Sequence, residues 1–130
     1  MKHLSRRTFF QGATFALSAS RVIGANDRVN VGIIGLGGRG NDHLNGYAKI
    51  ADARIAGLCD VNQAARERAQ TRLTTVATTG KAKEYSNMRE MFEDKDIDAV
   101  SMATPNHWHA LGCIWACEAG KDVRREARQP

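Results

Sequence analysis

No stretch of this 130-residue chain reaches the roughly 18 consecutive apolar residues that a membrane-crossing helix needs, so nothing in it reads as a span. Cysteine is sparse: Cys59, Cys113 and Cys117 are an odd number, without the spacing of a disulfide framework. Cys113 and Cys117 lie at i, i+4 on one helix face, which would suit a metal or redox pair. Free cysteines behave mostly as small buried hydrophobes, and these are read that way. Acid is absent from residues 1–25, which carry Lys2, Arg6, Arg7 and Arg21. Of the formal +5 charge, +4 lies in residues 1–25 and +2 in residues 124–130, leaving −1 for residues 26–123. A nearly neutral body offers no basic face to a polyanion, which argues against a nucleic-acid partner. Internal repeats, linkers and low-complexity segments are missing too, and the length accommodates one domain.

What is present is an alternation of strand-like and helix-like segments from Arg28 onward. Val29 to Ile34 is the expected first strand, and about Gly38 to Lys49 the first helix. Arg54 to Cys59 is the second strand. Gln63 to about Thr75 follows as a helix, with Ala65, Ala69, Leu73 and Val76 close to 3.6-residue spacing. The threonine-rich patch Thr74 to Thr79 reads as a loop, and Lys83 to Tyr85 as a short third strand. Asn87-Met88-Arg89-Glu90 has the pattern of a capping box, opening a short helix with Met91 and Phe92. Ile97 to Ala103 is the fourth strand, which Pro105 keeps from extending. Ala110 to Ala119 is apolar on nearly every side, so a buried helix is expected there, with Gly120 at its C′ position. Lys121 to Val123 begins a further strand. This order gives parallel strands with right-handed crossovers, an α/β doubly wound sheet that is incomplete at its C-terminal end.

The densest signal is the turn after the first strand. Gly35, Gly37 and Gly40 have G-x-G-x-x-G spacing, with Leu36, Gly38 and Arg39 between them, and Asp60 follows at the end of the second apolar run. Each part has a mechanical role in gripping a dinucleotide. Gly35 permits the tight turn, Gly37 has no side chain to hold a pyrophosphate away, and Gly40 lets the next helix pack closely on the strand. That helix aims its unpaired N–H groups at the phosphates. The Asp60 carboxylate can accept hydrogen bonds from ribose hydroxyls, or it can be a solvated turn residue or helix cap. Its charge would repel the 2′-phosphate of NADP, which favours NAD, while Arg66 and Arg68 on the next helix keep NADP open.

Ser5-Arg6-Arg7-Thr8-Phe9-Phe10-Gln11 resembles the twin-arginine (Tat) export signal, with Phe10 and Gln11 in place of the commoner Leu and Lys. An acid-free stretch of mostly small residues, Gly12 to Ser20, follows it. The small residues near Ala19, or Gly24 and Ala25, would suit a peptidase. Residues 1–25 are therefore read as a signal segment, which implies the Tat machinery as a partner and a periplasmic or exported destination. That route carries folded proteins, often ones that acquire a cofactor inside the cell.

Three segments together resemble the glucose–fructose oxidoreductase, inositol dehydrogenase and rhizopine catabolism family (Gfo/Idh/MocA). They are Val31 to Gly40, Cys59-Asp60-Val61-Asn62, and Asp96 to His109 with its Ala-Thr-Pro-Asn-His-Trp-His stretch. The likeness covers about residues 26–123. It implies the Rossmann domain of a two-domain NAD(P)-dependent oxidoreductase acting on sugars, cyclitols or related polyols. It also implies that Thr104, Asn106 and His109 border the nicotinamide half of the site, with Thr104 and Asn106 in reach of the nicotinamide ribose. The reading of these residues alone leaves Asn106 as a helix N-cap and His109 as a surface residue. The His107-x-His109 pair has no nearby Asp, Glu or Cys to complete a zinc ligand set, so no metal is expected. Trp108 and Trp115 are read as packing residues, and His43 as an exposed helix residue.

The likeness stops at Val123. The family continues approximately Tyr-Val-Glu-Lys-Pro, with a lysine beside nicotinamide and substrate. Here residues 124–130 read Arg-Arg-Glu-Ala-Arg-Gln-Pro, with no lysine between Glu126 and Pro130. Codons for Tyr-Val-Glu-Lys-Pro read with the first two bases lost can encode Arg-Arg-Glu-Ala. The tail is accordingly expected to be a frameshifted, truncated reading of a longer gene, the alternative being a natural short protein with a divergent tail. No catalytic residue is assigned. The expectation is a nucleotide-binding portion without turnover by itself, and the rival is a non-catalytic nucleotide-binding or regulatory module.

Overall fold

β-Branched and apolar runs form the strands, and each is followed by a segment whose apolar positions recur at helical spacing. A computed structural model describes residues 28–78 and 80–125. Along the chain run β1 (Val29–Ile34), α1 (Gly38–Ala48), β2 (Ala53–Cys59), α2 (Gln63–Val76), β3 (Lys83–Tyr85), α3 (Met88–Glu93), β4 (Ala99–Met102), α4 (Asn106–Glu118) and β5 (Asp122–Arg125). The five strands form one parallel sheet in the order β3-β2-β1-β4-β5. The chain reverses its direction of travel across the sheet between β1 and β4. Loops leaving those neighbouring strands therefore part to opposite faces and open a crevice at the carboxyl edge. This is the doubly wound sheet expected from the sequence.

A separate core covers each face. Ile33, Leu36, Leu44, Ile55, Leu58, Ala65, Ala69 and Leu73 join β1 and β2 to α1 and α2. Ile34, Cys59, Met91, Phe92, Ile97, Val100, Met102 and Ala116 join the sheet to α3 and α4. Neighbouring residues such as Ile33 and Ile34 point to opposite cores, as the two-residue period of a strand requires. Two strand glycines bring α3 in close. A Cβ on Gly57 would sit 2.9 Å from the methyl of Met91, and one on Gly32 would strike its sulfur. Met91 is fully buried over both.

Several expected boundaries shift, each for a local reason. Helix α2 runs to Val76, so Thr74 and Thr75 are helical and not in a loop. Their hydroxyls bond back to the Thr71 carbonyl at 2.7 and 3.1 Å, which removes their competition with the helix. Thr79 lies outside the described residues. At α3, Asn87 caps by accepting from Arg89 N at 3.0 Å. Helix α4 begins at Asn106, four residues before the expected start, because Pro105 at the N-cap has φ −54° and launches the helix directly. Asn106 is thus the first helical residue and not the cap.

The expectation that α4 is buried all round is also corrected. His109, Gly112 and Ala116 are buried, but Leu111 is 39% and Ile114 54% exposed. The small-residue stripe of Gly112 and Ala116 faces the sheet, Gly112 lying against Met102, and Cys113 and Trp115 pack beside it. The helix ends as its glycine predicts. Gly120 has φ +71°, and Gly120 N and Lys121 N donate to the carbonyls of Cys117 and Ala116 at 3.0 and 2.9 Å. Of the cysteines, Cys59 is buried, Cys113 half-buried and Cys117 exposed, so the hydrophobic reading fails at Cys117 because it faces away from that stripe. Strand β5 carries Arg124 and Arg125 as exposed residues on the sheet's edge, where charged side chains reach water. The twin-arginine segment and residues 126–130 lie outside the described residues.

Candidate functional site

Strand β1 ends at Ile34, and the chain turns through Gly35 with φ +86°, a conformation that glycine adopts without steric cost. A Cβ there would also come within 2.9 Å of the Ala103 backbone. Its N–H donates to the Cys59 carbonyl at 2.8 Å, pinning the turn to the end of β2. Helix α1 then starts with Gly37 as a cap that makes no side-chain bond. The first amides of such a helix have no partner within it. Gly37 and Gly38 are exposed, and a Cβ on either would meet nothing within 4 Å. The loop therefore presents bare backbone N–H groups and a partial positive charge to whatever approaches. Leu36 is buried and Arg39 exposed. Gly40 faces inward, where a Cβ would overlap the Gly35 carbonyl oxygen and lie 2.8 Å from its carbon. No side chain larger than hydrogen fits there.

Asp60 follows β2 and is held from several sides. Its amide donates to Tyr85 O at 3.2 Å. One carboxylate oxygen accepts from Leu36 N at 2.8 Å, the other from Asn62 N at 2.9 Å. The first bond ties the acid to the glycine turn across 24 residues of sequence. Asp60 is half-buried, and the cap of α2 is Asn62, which accepts from Ala64 N at 3.0 Å. The cap alternative is thereby set aside, while the bond from Asn62 N makes Asp60 the acceptor of an Asx turn. Arg66 donates from Nη1 to the Asp60 carbonyl at 2.5 Å, and its Nε lies 3.6 Å from Glu84. Arg68 is exposed. Beneath Asp60, burial and then the neighbouring carboxylate push the Cys59 thiol up to about 12, so it stays protonated and unreactive.

A crevice of about 710 Å³ opens at this edge, lined by Gly35, Asp60 and Thr104 together with Val61, Asn87, Met88, Trp108 and Trp115, among others. Of the other residues expected at the site, Leu36, Gly37, Gly38, Arg39, Gly40, Asn106 and His109 do not line it. Asn106 is exposed at the first turn of α4, while His109 is 6% exposed, so it is not a surface residue. The Thr104 hydroxyl and His109 Nε2 are both buried without a hydrogen-bond partner. A buried polar atom in that condition costs free energy until something bonds to it. Sequence reasoning passed over Val61, which lines the crevice at 89% exposure, and took Trp108, 41% exposed on the crevice wall, for a packing residue. Trp115 is half-buried, with the Arg89 guanidinium 3.9 Å from its ring centre. An apolar residue directly after the Asp60 strand end was the available signal for Val61. His43 is not a free surface group: its Nδ1 lies 2.8 Å from the hydroxyl of buried Ser101.

Comparison with known proteins agrees with this geometry. A family model described as "Oxidoreductase family, NAD-binding Rossmann fold" matches residues 29–126. The chain belongs to the Gfo/Idh/MocA family. What the sheet, the glycine turn and Asp60 compose is its NAD-binding Rossmann domain. Among curated relatives, a glycosyl hydrolase family 109 protein of Shewanella baltica is 35% identical over 101 residues, covering 73% of this chain and 21% of that protein. An alpha-N-acetylgalactosaminidase of Shewanella oneidensis is 35% identical over 99 residues, again 21% of its length. The chain thus spans about a fifth of these relatives. Apo scyllo-inositol dehydrogenase from Lactobacillus casei superposes with TM-score 0.70 at 28% identity, over 78% of this chain and 28% of that one. The same enzyme solved with NAD(H) and scyllo-inositol gives TM-score 0.68 at 29% identity, over 76% of this chain and 28% of that one.

Proposed function

We propose that this chain is the cofactor-binding portion of an NAD-dependent oxidoreductase whose substrate is a sugar, cyclitol or related polyol. The observation that carries the reading is the bond from Leu36 N to Asp60. It fuses an open helix N-terminus and a fixed carboxylate into one receptor, shaped for a diphosphate beside a ribose. The residues present fit that ligand. A methyl group would fill the space above Gly37 and Gly38, which is clear for 4 Å, and the Thr104 hydroxyl still needs a partner.

In this reading Gly35 and Gly40 set the turn, the Leu36 amide holds Asp60, and the amides of Gly37, Gly38 and Arg39 bind the diphosphate. Asp60 accepts from the adenosine ribose hydroxyls and disfavours a 2′-phosphate. Thr104, Asn106 and His109 attend the nicotinamide end. Bound NAD supplies hydride acceptance. This chain's residues bind and orient it, and the catalytic and polyol-binding groups belong to parts of the protein beyond this domain. That the Lactobacillus casei structure holds NAD(H) and scyllo-inositol, and that the Shewanella oneidensis relative is named for an amino-sugar glycoside, supports a polyhydroxylated ring as substrate class.

Fluorescence titration of the full chain with NADH tests the reading. Saturable binding that Asp60→Ala weakens is expected. No binding up to millimolar NADH from a folded chain would refute it.

We infer that the twin-arginine pattern at Arg6 and Arg7 directs a periplasmic or exported destination, by a route that carries folded proteins. Fusing residues 1–30 to a reporter that matures only in the cytoplasm tests it. Export should be lost when Arg6→Lys and Arg7→Lys are combined, and export that persists refutes the assignment.

A further inference from the structure

We propose that Glu84 is a second determinant of cofactor choice, acting with Asp60 by holding the Arg66 guanidinium away from the place a 2′-phosphate would take. The inference rests on the dinucleotide reading above and adds a discriminating residue to it.

A guanidinium is the side chain best matched to a phosphate, through its planar fork of donors. The structure sets one directly behind the ribose-facing acid. Arg66, in the second turn of α2, lies against Asp60 by donating to its carbonyl at 2.5 Å. The Arg66 side chain is only 14% exposed, so it occupies this corner and does not wave in solvent. A basic residue so placed would ordinarily argue for NADP. Glu84 reverses that argument. Pairing of β3 with β2 sets Glu84 opposite Leu58, and its carboxylate then faces Arg66 Nε at 3.6 Å. The corner therefore holds two acids and one base, a local charge of −1. Removing the Asp60 charge alone leaves Arg66 neutralised and oriented toward Glu84. Removing both acids leaves a net cation still tethered through Nη1 to the Asp60 backbone carbonyl, with Nε released from Glu84 to face a 2′-phosphate. Asp60 is thus necessary for discrimination, while Glu84 decides whether its loss creates an NADP site.

Both acids can be neutralised at nearly constant side-chain size. Asp60→Asn keeps an amide oxygen for one backbone N–H, and Glu84→Gln keeps its length at a site 38% exposed. NADH and NADPH are titrated by fluorescence into the full chain carrying Asp60→Asn, Glu84→Gln, both together, and both with Arg66→Gln. Circular dichroism melts confirm that each variant folds. The double variant is expected to bind NADPH about tenfold more tightly than Asp60→Asn alone, the scale of one new charge-assisted contact, and Arg66→Gln should remove that gain.

Two results overturn the proposal. One is an NADPH to NADH ratio that Glu84→Gln leaves within about twofold in both backgrounds. The other is a gain that survives Arg66→Gln, since that gain would come from charge alone. If the unaltered chain binds neither nucleotide, the dinucleotide reading falls as well. If it binds NADH and the ratio does not move, only the role of Glu84 falls.

Discussion

Substituting alanine at Gly40 and at Gly37 should separate folding from binding within one four-residue turn. At Gly40 the new methyl carbon would overlap the Gly35 carbonyl oxygen and lie 2.8 Å from its carbon, against an ordinary separation of about 3.5–4.0 Å. The obstruction is backbone, and Gly35 is itself fixed by its bond to Cys59 O and by its positive φ. Relief must come from helix α1 backing away by roughly 1 Å, which loosens Leu44 and Leu36 in the first core. Overpacking of this kind costs about 1–3 kcal/mol, and Gly40→Ala should sit at the upper end because no flexible side chain can yield. For a domain this size that lowers the melting temperature by roughly 5–20 °C. Gly37→Ala meets nothing within 4 Å, so its fold should lose no more than about 1 kcal/mol, the cost of alanine at an N-cap. Its methyl group would stand where a diphosphate has to approach, so NADH affinity should fall about tenfold or more. Thermal melts by circular dichroism and NADH titration on the two variants read both effects. A Gly40→Ala chain that melts within about 1 °C of the unaltered one would refute the packing argument.

Asp94 should govern part of the acid sensitivity. Hydrogen bonds from Lys83 and then Tyr85, each 2.7 Å, hold its carboxyl well below the ordinary value of 3.8. A carboxyl lowered in the folded state stabilises fully above its ordinary value, and that contribution drains away as the pH falls below about 4. Asp94→Asn should flatten the pH dependence of urea stability in that window, and an unchanged slope between about pH 4 and 2 would count against the cluster. Thiol titration of the native chain near neutral pH should label Cys117 quickly and Cys59 only on unfolding, as its exposure and its raised pKa of about 12 require. Equal rates would mean that the β2 end opens readily. Exchanging Ile114 for lysine should raise solubility with a melting point within a few degrees, because that side chain is 54% exposed. A large drop would show it to be packed.

Periodicity was a reliable guide wherever burial is one-sided. Strand β1 begins and ends on β-branched residues, β3 ends on its buried Tyr85, and α2 shows its Ala65, Ala69, Leu73 stripe plainly. It failed at α4, where nearly every residue is apolar and the pattern carries no direction. Which face is buried there depends on Met102 finding Gly112, a contact set by the sheet and invisible in local sequence. The site divides similarly. Glycine positions are legible because positive φ and close approach exclude other residues, and Asp60 because it stands at a strand end. The Arg66–Glu84 pair spans α2 and β3, and it could be seen only once β3 was known to lie beside β2.

The orphaned atoms of Thr104, on the crevice wall, and of His109, which does not line it, bear on how the two halves of the site differ. Around Asp60 each polar group described has a partner before any ligand arrives: carboxylate to two amides, guanidinium to a carbonyl and an acid. Such a corner is pre-organised, so ligand binding there spends little on ordering side chains. Around Thr104 and His109 the reverse holds, since a hydroxyl and an imidazole nitrogen lie buried and unpaired. A structure stays in that condition only where neighbouring packing imposes it, here the Pro105 turn and the first turn of α4. Binding at this end would therefore relieve a cost as well as make a contact. A full dinucleotide should then gain more over its adenosine half than its extra contacts with backbone amides alone would give. Thr104→Val removes the unpaired hydroxyl at nearly constant volume, so it should hold or raise the melting point while weakening NADH more than ADP, which lacks the nicotinamide ribose. Equal loss of both ligands would place Thr104 outside the nicotinamide half.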